Sequence, residues 1–472
     1  MAEDVSVDSM KTFIFNIISI VLAAVAVTSC IEDSVATSPQ VQPVFSVDTL
    51  KMGSVITAQG TPTFRFTVYN RHDKILNIDR IALRSGATTF RMNVDGFSGR
   101  EFSNIQIRPN DSIFVFVEAT LAEQSAPGLK EVQEHLDFTT RGLTRTVVLS
   151  ADGFDVKRHR AEIITSDTRF TADYPHQVFD SLVVAPGVTL TIDPGVHLMF
   201  HDGASMKVYG TLLSMGTPEA PVNFSGDRTD NVVGSISFDL MASQWQGLTF
   251  APGSRGNLLS HSVVRNTVGG VLADSLSQLT IVNSRLRNSA GRSLTAWHAD
   301  VTAMGAEIAE AAYGTLLLHG GKARFDHCTI ANYYLFSVLY GEAVQLSHTD
   351  DDTDDQSGLP RLEATFTNSI IYGNGTDLSH GDLTGMNVTF TRCLFKSEGS
   401  DDDNFIECLW DTDPLYYTER SKYLFDYRLK PESPAIGYAS PAIGLNLAPA
   451  DLYGTQRQGT IGAYEFVAPD EE

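Results

Sequence analysis

The chain has 472 residues, a formal net charge of −23 at pH 7 and four cysteines. The length allows two or three domains, and the negative charge argues against a nucleic-acid partner, because phosphates would be repelled. Four cysteines do not indicate a disulfide framework. β-Branched residues are abundant beyond the N-terminus, which favours an all-β protein.

The first thirty residues are typical of an export signal. Lys11 precedes the apolar run 13–27, and the sequence VTSC ends at Cys30. A basic start, an apolar stretch and small residues describe a secretory signal peptide, and the run is shorter than the roughly 20 residues of a membrane span. VTSC resembles a bacterial lipobox, whose cysteine is acylated and becomes the new N-terminus. An ordinary signal peptide with a chance cysteine is the alternative.

The lipobox resemblance implies a membrane anchor at Cys30. Glu32 and Asp33 resemble the signal that sends some Gram-negative lipoproteins to the outer face of the outer membrane. We therefore expect a lipid-anchored protein of the outer membrane that faces the extracellular side. We interpret residues 1–9 as an upstream start-site artefact, 10–29 as the signal peptide and 30–43 as a polar, proline-containing tether.

Residues 44–155 have the pattern of a β domain. TFRFTVY (63–69) alternates apolar and polar residues, DSIFVFVEA (111–119) and RTVVLSA (145–151) are further strands, and DGFSG (95–99) is a turn. Several short strands in about 110 residues predict an immunoglobulin-like sandwich. No cluster in it has a catalytic pattern, so we interpret it as a spacer or docking module.

The rest of the chain repeats one phrase every 22 residues: HSVVRN at 261, NSRLRN at 283, GAEIAE at 305 and HCTIAN at 327. Columns of like residues at a fixed period mean that each repeat is one unit stacked on the next. The columns are Val264, Leu286, Ile308, Ile330, Ile371 and Phe395; Ser262, Ser284, Ala306, Cys328, Ser369 and Cys393; Leu259, Ile281, Ala303, Phe325, Phe366 and Phe390; and Leu272, Leu294, Leu316 and Val338.

A period of 22 favours a coil of three short strands, since the leucine-rich-repeat motif is absent and a helical pair needs about 33 residues. Asn266, Asn288 and Asn332 form a further column, with Glu310 as the exception. We expect these asparagines to bond along the solenoid and to satisfy backbone groups at a turn. The prediction is a right-handed parallel β-helix over 156–430, with a loop extruded around 342–360.

Three strings carry a family resemblance: LTIDPGVHLMFHDGASMKVYGTLLSMGTPEAPVNFSGDR (190–228), QWQGLTF (244–250), and the C-terminal ESPAIGYASP with DLYGTQRQGTIGAYEF (432–466). They look like the pectin-lyase-like β-helix lipoproteins of Gram-negative bacteria, many of which have no assigned activity. The resemblance implies the fold, the location and a C-terminal cap at 431–472. It implies hardly anything about chemistry.

Candidate binding residues come from the outward positions of consecutive coils. Glycosidases need two carboxylates about 5–9.5 Å apart, but Glu307 is the only acid in these columns, and Arg285 beside it predicts a surface ion pair. A weak glycan-binding stripe and an ordinary solvated face remain the alternatives. The stripe contains His261, Arg265, Arg285, Arg287, Glu307, His327 and Arg392.

The acidic loop could hold Ca²⁺ through its oxygen ligands. However, Ser357 stands where an EF-hand-like loop requires glycine, and Pro360 interrupts it. A solvated run of charge is the alternative, and we expect no other cofactor. The acidic residues are Asp350, Asp352, Asp354 and Asp355.

These patterns lead to three functional hypotheses. The first is a non-catalytic surface lipoprotein whose β-helix binds glycans or other extracellular macromolecules. The second is a polysaccharide lyase or glycoside hydrolase, and the third is a purely structural envelope protein.

The register also predicts that Cys328 and Cys393 lie two coils, about 10 Å, apart. That separation exceeds the roughly 7 Å limit of a disulfide, so we expect two buried, unpaired thiols.

Overall fold

The computed structural model describes residues 34–233, 236–347, 359–381, 383, 387–440 and 448–468. In this part of the chain nearly all regular structure is β-strand, with 3₁₀ turns at Phe238–Leu240 and Arg420–Lys422 and no α-helix. No helix among the described residues has the length and apolar character of a membrane span. The chain forms two compact units, which are Met1–Glu123 with Leu129–Phe154, and Gln124–Gly128 with Asp155–Glu472.

The first unit is a β-sandwich, as predicted. Alternate residues of both sheets, such as Phe66 and Val115 of one and Ile78 and Leu136 of the other, form one core. All strand pairs are antiparallel except β2–β10. Its likeness to an immunoglobulin domain stays a prediction. In spatial order, the first sheet contains β1 (Val44–Phe45), β3 (Phe64–Tyr69), β8 (Ser112–Ala119), β5 (Phe90–Val94) and β6 (Phe97–Gly99), and the second contains β2 (Thr49–Ile56), β10 (Leu143–Phe154), β9 (Lys130–Thr140), β4 (Leu76–Leu83) and β7 (Glu101–Ile107).

The predicted turn at 95–99 is a hairpin. Val94 and Phe97 are cross-strand partners, so Asp95 and Gly96 form a two-residue loop. Both have positive φ, 51° and 87°, as a type I′ turn requires. Gly96 is suited to this position because it has no Cβ.

The expectation of a free tether is wrong for residues 34–43, because this segment is packed on the first unit. Ala36 is buried, and its N–H donates to Ile75 O at 2.9 Å. Arg141 Nη2 donates to Ala36 O at 2.8 Å, and Gln42 Nε2 donates to Thr140 O at 3.3 Å. The polar composition that indicated a tether instead supplies hydrogen bonds to the sandwich.

The second unit is a parallel β-helix, and its handedness stays a prediction. Each coil contributes strands to three faces, which we call A, B and C. After β11 (Lys157–Ile164) and β13 (His176–Val184), which bend across faces A and B, the faces are as follows. Face A contains β15 (His197–Phe200), β18 (Val222–Gly226), β23 (Ser262–Val264), β26 (Arg285–Ser289), β29 (Glu307–Ala311), β32 (Thr329–Asn332), β35 (Ile370–Gly373) and β38 (Leu394–Phe395). Face B contains β16 (Ser205–Val208), β21 (Gly247–Phe250), β24 (Val271–Ala273), β27 (Leu294–Trp297), β30 (Leu316–His319), β33 (Val344–Ser347) and β36 (Leu378–Ser379). Face C contains β12 (Thr168–Phe170), β14 (Thr189–Ile192), β17 (Thr211–Met215), β22 (Asn257–Ser260), β25 (Gln278–Val282), β28 (Asp300–Met304), β31 (Lys322–Asp326), β34 (Glu363–Thr367), β37 (Asn387–Thr391) and β39 (Phe405–Ile406). A small hairpin, β19 (Asn231–Val233) with β20 (Ile236–Ser237), projects from between β18 and β21.

The predicted register is confirmed on faces A and C. The column from Val264 to Phe395 consists of cross-strand partners throughout, as does the column from Leu259 to Phe390. In the latter, the rings of Phe325, Phe366 and Phe390 stack with centroids 4.9 and 4.7 Å apart. This spacing is that of neighbouring strands.

The fourth predicted column is wrong at both ends. Leu294 pairs with Val271, not with Leu272, and Leu316 pairs with Val344, not with Val338. The turn between faces A and B varies in length, so a fixed step of 22 fails there. The predicted extruded loop around 342–360 is wrong at Val344–Ser347, which form β33, and residues 348–358 lie outside the described residues.

The cysteine prediction is confirmed for the residues it concerned. Cys328 and Cys393 are free and buried, and Ser369 lies between them, since its Oγ accepts from the Cys328 N–H at 3.1 Å. Cys408, which the repeat left unplaced, continues this column. Leu409 bridges Leu394 in parallel, which places Cys408 one coil beyond Cys393.

The C-terminal segment covers the side of the β-helix as well as following its end, so the expectation of a cap at 431–472 is incomplete. Trp410 stacks on Phe395 at the end, with ring centroids 4.8 Å apart. The described residues from 412 to 468, which we call the C-terminal cover, then pack on face A. They form a second core with alanines and aliphatic residues that point outward from this face. Its members include Ala309, Ala331, Ile370, Leu394, Tyr416, Tyr427, Leu429 and Ile461.

Candidate functional site

The predicted stripe lies on face A and its preceding corner, but it is not an exposed surface. Arg285 and Glu307 are cross-strand partners on β26 and β29, and the C-terminal cover lies over them. Glu307 is 1% exposed and His327 3%. The expectation of an exposed stripe is therefore wrong, because an outward position in a coil is not an exposed one when a later segment packs over it.

Glu307 is at the centre of a buried polar cluster. Its carboxylate accepts a hydrogen bond from the Tyr464 hydroxyl of the cover and lies 3.1 Å from Arg287 Nη2. The predicted partner, Arg285, is farther away at 3.8 Å, and its Nε donates to the Tyr464 hydroxyl at 3.2 Å. The predicted surface ion pair is thus the longer contact within an enclosed network.

A second acid, Glu310, is buried beside this cluster. Burial raises the pKa of Glu310 well above its usual range; Arg287 opposes this rise and Glu307 adds to it. Burial works against the charge of Arg287, but Glu307 and Glu310 raise its pKa above the ordinary value. Carboxylates in contrasting environments are what glycosidases use. Here, however, both acids are buried, with Glu307 1% and Glu310 4% exposed, so a polymer cannot reach them.

The corner between faces C and A carries a ladder of side chains, three of which, His261, His327 and Arg392, belong to the predicted stripe. We call its residues the ladder corner, and all have φ between 42° and 60°. Asn283 Nδ2 approaches His261 Nε2 at 3.4 Å, and Asn368 Nδ2 approaches His327 Nε2 at 3.1 Å. Asparagine and histidine are among the side chains that adopt this left-handed conformation most readily. The ladder corner consists of His261, Asn283, Gly305, His327, Asn368 and Arg392.

The C-terminal cover docks along the ladder corner. His327 Nδ1 donates to Thr460 O at 3.2 Å, Asn283 Nδ2 donates to Ala450 O at 3.0 Å, and Ser440 N–H donates to Asn368 Oδ1 at 2.9 Å. At Gly305 an added Cβ would lie 2.6 Å from Arg457 Nη2. The cover therefore bonds to the side chains of several coils and occupies the space above the only glycine of the corner.

The predicted asparagine ladder is correct for one residue. Asn332 Nδ2 donates to Ala311 O at 2.8 Å, and Ala311 N–H donates to Asn332 Oδ1 at 3.2 Å, so Asn332 does bond along the solenoid. The expectation is wrong for Asn266 and Asn288. Both donate to Asp239 O, at 2.8 and 3.1 Å, in the segment that follows the small hairpin.

The remaining predicted residues have other partners or lie elsewhere. Arg265 Nη2 lies 3.2 Å from Asp239 Oδ1, and Arg392 Nη2 lies 2.6 Å from Glu407 Oε2. Within the described ranges, no three His, Cys, Asp or Glu side chains are grouped as metal ligands. The lipidation residue and the acidic loop lie outside the described residues; these are Cys30, Asp350, Asp352, Asp354 and Asp355.

Face B, in contrast, carries exposed aromatic side chains. Trp297 and His319 are cross-strand partners on β27 and β30, and their rings stack with centroids 3.8 Å apart. Tyr313 and Tyr340, at the corner before this face, stack with centroids 5.2 Å apart. Trp297, Tyr313 and Tyr340 are 42%, 56% and 51% exposed. We call these four residues the aromatic surface.

Polar groups lie between the two stacked pairs. The outward positions of β27, β30 and β33 are Thr295, Leu317 and Gln345, which are mutual cross-strand partners. Arg292 Nη2 donates to Gln345 Oε1, and His319 Nδ1 bonds to Ser347 Oγ at 2.7 Å. An arrangement of rings with fixed hydrogen-bonding groups suits a ligand that has both apolar and polar edges.

Sequence reasoning missed the aromatic surface because it depends on the variable turn. Trp297 and His319 are 22 residues apart, so their stacking could have been found from the period. Tyr313 and Tyr340 are 27 apart, outside the period, and backbone bonds such as that from Tyr340 N–H to Ala312 O, 2.6 Å, bring them together.

Comparisons with known proteins do not identify a family for this chain. No family model matches the chain, and no curated protein matches it. Among solved structures, one match is a family 123 glycoside hydrolase from Clostridium perfringens, described for glycolipid glycan hydrolysis. It has 8% identity and a TM-score of 0.17, and the match spans 24% of this chain and 26% of that chain. A match this weak carries no argument about activity.

Proposed function

We propose that this protein is a non-catalytic glycan-binding lipoprotein of the outer cell surface, and that the aromatic surface on face B is its binding site. The observation that carries the proposal is two ring stacks: Trp297, which is exposed, stacks on the buried His319, and the exposed rings of Tyr313 and Tyr340 stack on each other. One face of a pyranose ring exposes mainly C–H groups, which pack on the electron-rich face of an aromatic ring. Hydroxyl groups at the ring edge need hydrogen-bonding partners, and these lie between the stacks.

The size of the aromatic surface favours a chain of sugars over a single one. Tyr313 and His319 are six residues apart, and because Tyr313 lies at a corner their separation is at most the roughly 20 Å of an extended chain. Across the strands, the rows of β27, β30 and β33 add two strand spacings, about 10 Å. A short stretch of polysaccharide laid along this surface would contact both ring stacks. Neither stack alone would hold it strongly.

Binding without cleavage is supported by the position of the paired acids. Glu307 and Glu310 lie on the same strand, β29, and both are buried. Acid–base cleavage of a glycosidic bond needs such groups at the bond itself. The proposal therefore assigns the pair to the structure of the cover and assigns ligand binding to the other face.

A glycan array followed by titration calorimetry tests this function. The full chain is applied to polyuronates and neutral glycans, and we expect Trp297→Ala and Tyr313→Ala each to weaken binding about tenfold or more. The control is Tyr417→Ala, which removes a similarly exposed ring, 41% accessible, from the C-terminal cover. Absence of binding to every glycan would leave the purely structural role, and release of shortened products would favour the lyase or hydrolase.

The location is part of the proposal and rests on the N-terminal sequence. We expect Cys30→Ala to prevent lipid labelling and to release the protein from the membrane fraction. Stable membrane retention of the unlabelled variant would contradict the anchor. Replacing Glu32 and Asp33 with Ala should leave the protein lipidated but protected from protease added to intact cells, and unchanged digestion would remove the argument for surface display.

A further inference from the structure

The first unit contains a second candidate binding site, independent of the β-helix. A cavity of about 760 Å³ opens on the outer face of its first sheet, and small-molecule sites have roughly 300–1,000 Å³. The cavity is lined by residues of β5, β6 and β8 and by neighbours of β3 and β6. The side chains that matter here are those of Thr63, Arg91, Asn93, Ser98, Arg100, Phe116 and Glu118.

Strand register explains why these side chains converge. Phe116 of β8 is the cross-strand partner of Asn93 on β5, and Asn93 is the partner of Ser98 on β6. The three side chains therefore form one row on the side of the sheet that faces away from the core. Asn93 is held in place, because its Oδ1 accepts from Gly96 N–H at 3.0 Å and its Nδ2 donates to Ser98 Oγ at 3.2 Å.

The charges in the cavity leave one cation for a ligand. Glu118 Oε1 accepts from Thr63 Oγ1 at 2.6 Å, and its Oε2 lies 3.8 Å from Arg91 Nη2. Arg100, at the other side of the cavity, has no carboxylate within ion-pair distance among the described residues. The lining therefore has a net charge of +1. The described part of this unit, 34–154, contains equal numbers of acidic and basic residues, whereas 155–472 carries a net charge of −19.

We propose that this cavity binds a pyranoside that bears a carboxylate, such as a uronic acid unit. The carboxylate would pair with the Arg100 guanidinium, whose planar donors match it. The sugar ring would lie against Phe116, and its hydroxyls would bond to Asn93 and Ser98. The charge complementarity argues for an anionic sugar over a neutral one, and the ring and the fixed amide argue for a sugar over a simple anion.

Calorimetric titration of the full chain tests this proposal with three probes: methyl glucuronide, methyl glucoside and acetate. We expect only the glucuronide to bind measurably, and Arg100→Gln to weaken it about tenfold. Arg145→Gln, which removes an exposed arginine from the other sheet of the same unit, should have no effect. Added salt should weaken binding, because an exposed ion pair is screened.

Each alternative outcome contradicts the proposal in a distinct way. Equal binding of methyl glucoside would show that Arg100 does not select the ligand, and equal binding of acetate would show that the sugar ring makes no contact. No binding of the glucuronide, or loss of it in Trp297→Ala with retention in Arg100→Gln, would exclude this cavity as the site. The glycan-binding function of face B is unaffected by any result at Arg100, so the two proposals fail separately.

Discussion

Faces A and B of the β-helix are built from the same coils, and both place alternate side chains of their strands outward. On face A these side chains are buried, because the C-terminal cover packs over Ala309, Ala331 and Ile370 and encloses Glu307. On face B, Trp297 remains open to solvent. The repeat therefore determines which side chains point outward from a coil, whereas a separate segment determines which of these side chains are exposed to solvent.

The largest expected effect is at the centre of the covered face. Glu307→Ala would leave the partly buried Arg287 without its closest carboxylate and the buried Tyr464 hydroxyl without its acceptor, and should lower the free energy of unfolding by about 3 kcal/mol. Denaturation followed by tryptophan fluorescence measures this, because Trp245, Trp297 and Trp410 all belong to the second unit. The control is Glu363→Ala on face C, whose partner Lys322 lies 3.4 Å away in an exposed pair; it should cost at most about 1 kcal/mol. If Glu307→Ala and Glu363→Ala lowered the free energy of unfolding equally, the cover would not enclose Glu307.

The next effect concerns the docking of the cover on the ladder corner. In Gly305→Ala the new Cβ would lie 2.2 Å from Asn283 Oδ1 and 2.6 Å from Arg457 Nη2. Gly203→Ala is the matched control, since Gly203 also has positive φ, 74°, but has open space around it. We expect Gly305→Ala to cost about 1–3 kcal/mol more than the control.

A double-mutant cycle measures how much of this loss comes from Arg457. Adding Arg457→Ala to Gly305→Ala should recover part of the loss, because one of the two close contacts is then removed while that with Asn283 Oδ1 remains. Strictly additive losses would contradict the position of Arg457 above Gly305.

Two substitutions of Cys328 compare a large and a small side chain at one position of the inward column of small residues. Cys328→Leu should overpack the core and cost about 1–3 kcal/mol, whereas Cys328→Ser should cost less, because Ser262, Ser284 and Ser369 already occupy the column. Burial raises the pKa of Cys328 to about 12, so alkylation of the native protein at pH 8 should be slow. A Cys328–Cys393 disulfide, found by mass spectrometry without reduction, would mean that the coil count is wrong.

The smallest expected effect is the pH dependence of stability that Glu310 causes. Because burial raises the pKa of Glu310, the folded protein keeps this proton to a higher pH than the unfolded chain does. Stability is therefore lost as the pH rises from the ordinary value of 4.5 towards the raised one. Glu310→Gln removes this loss and should stabilise the protein by on the order of 1 kcal/mol at pH 7.

At pH 4 the same substitution should have almost no effect, since the acid is protonated in both states. Thermal unfolding of both proteins at the two pH values measures the difference. An increase in stability at pH 4 as large as that at pH 7 would show that the stabilisation does not depend on the protonation of Glu310.

The sequence by itself determined the repeating unit. A period of 22 with small, aliphatic and aromatic columns requires like residues to stack, and the partners Val264–Leu286 and Phe325–Phe366 lie where that period places them. The alternation in TFRFTVY likewise predicted β3, because period 2 places Phe66 and Val68 on one buried side. These features are local, and each is specified by residues close together in the chain or by the constant step between coils.

Only the tertiary structure decided which surfaces are available. Tyr464 contacts Glu307 across 157 residues, and Ala450 contacts Asn283 across 167, with no periodic pattern linking them. The turn between faces A and B changes length from coil to coil, so Tyr313 and Tyr340 meet outside the period. Burial of Glu307 and exposure of Tyr313 therefore depend on the path of segments that do not repeat. The 22-residue period contains no information about that path.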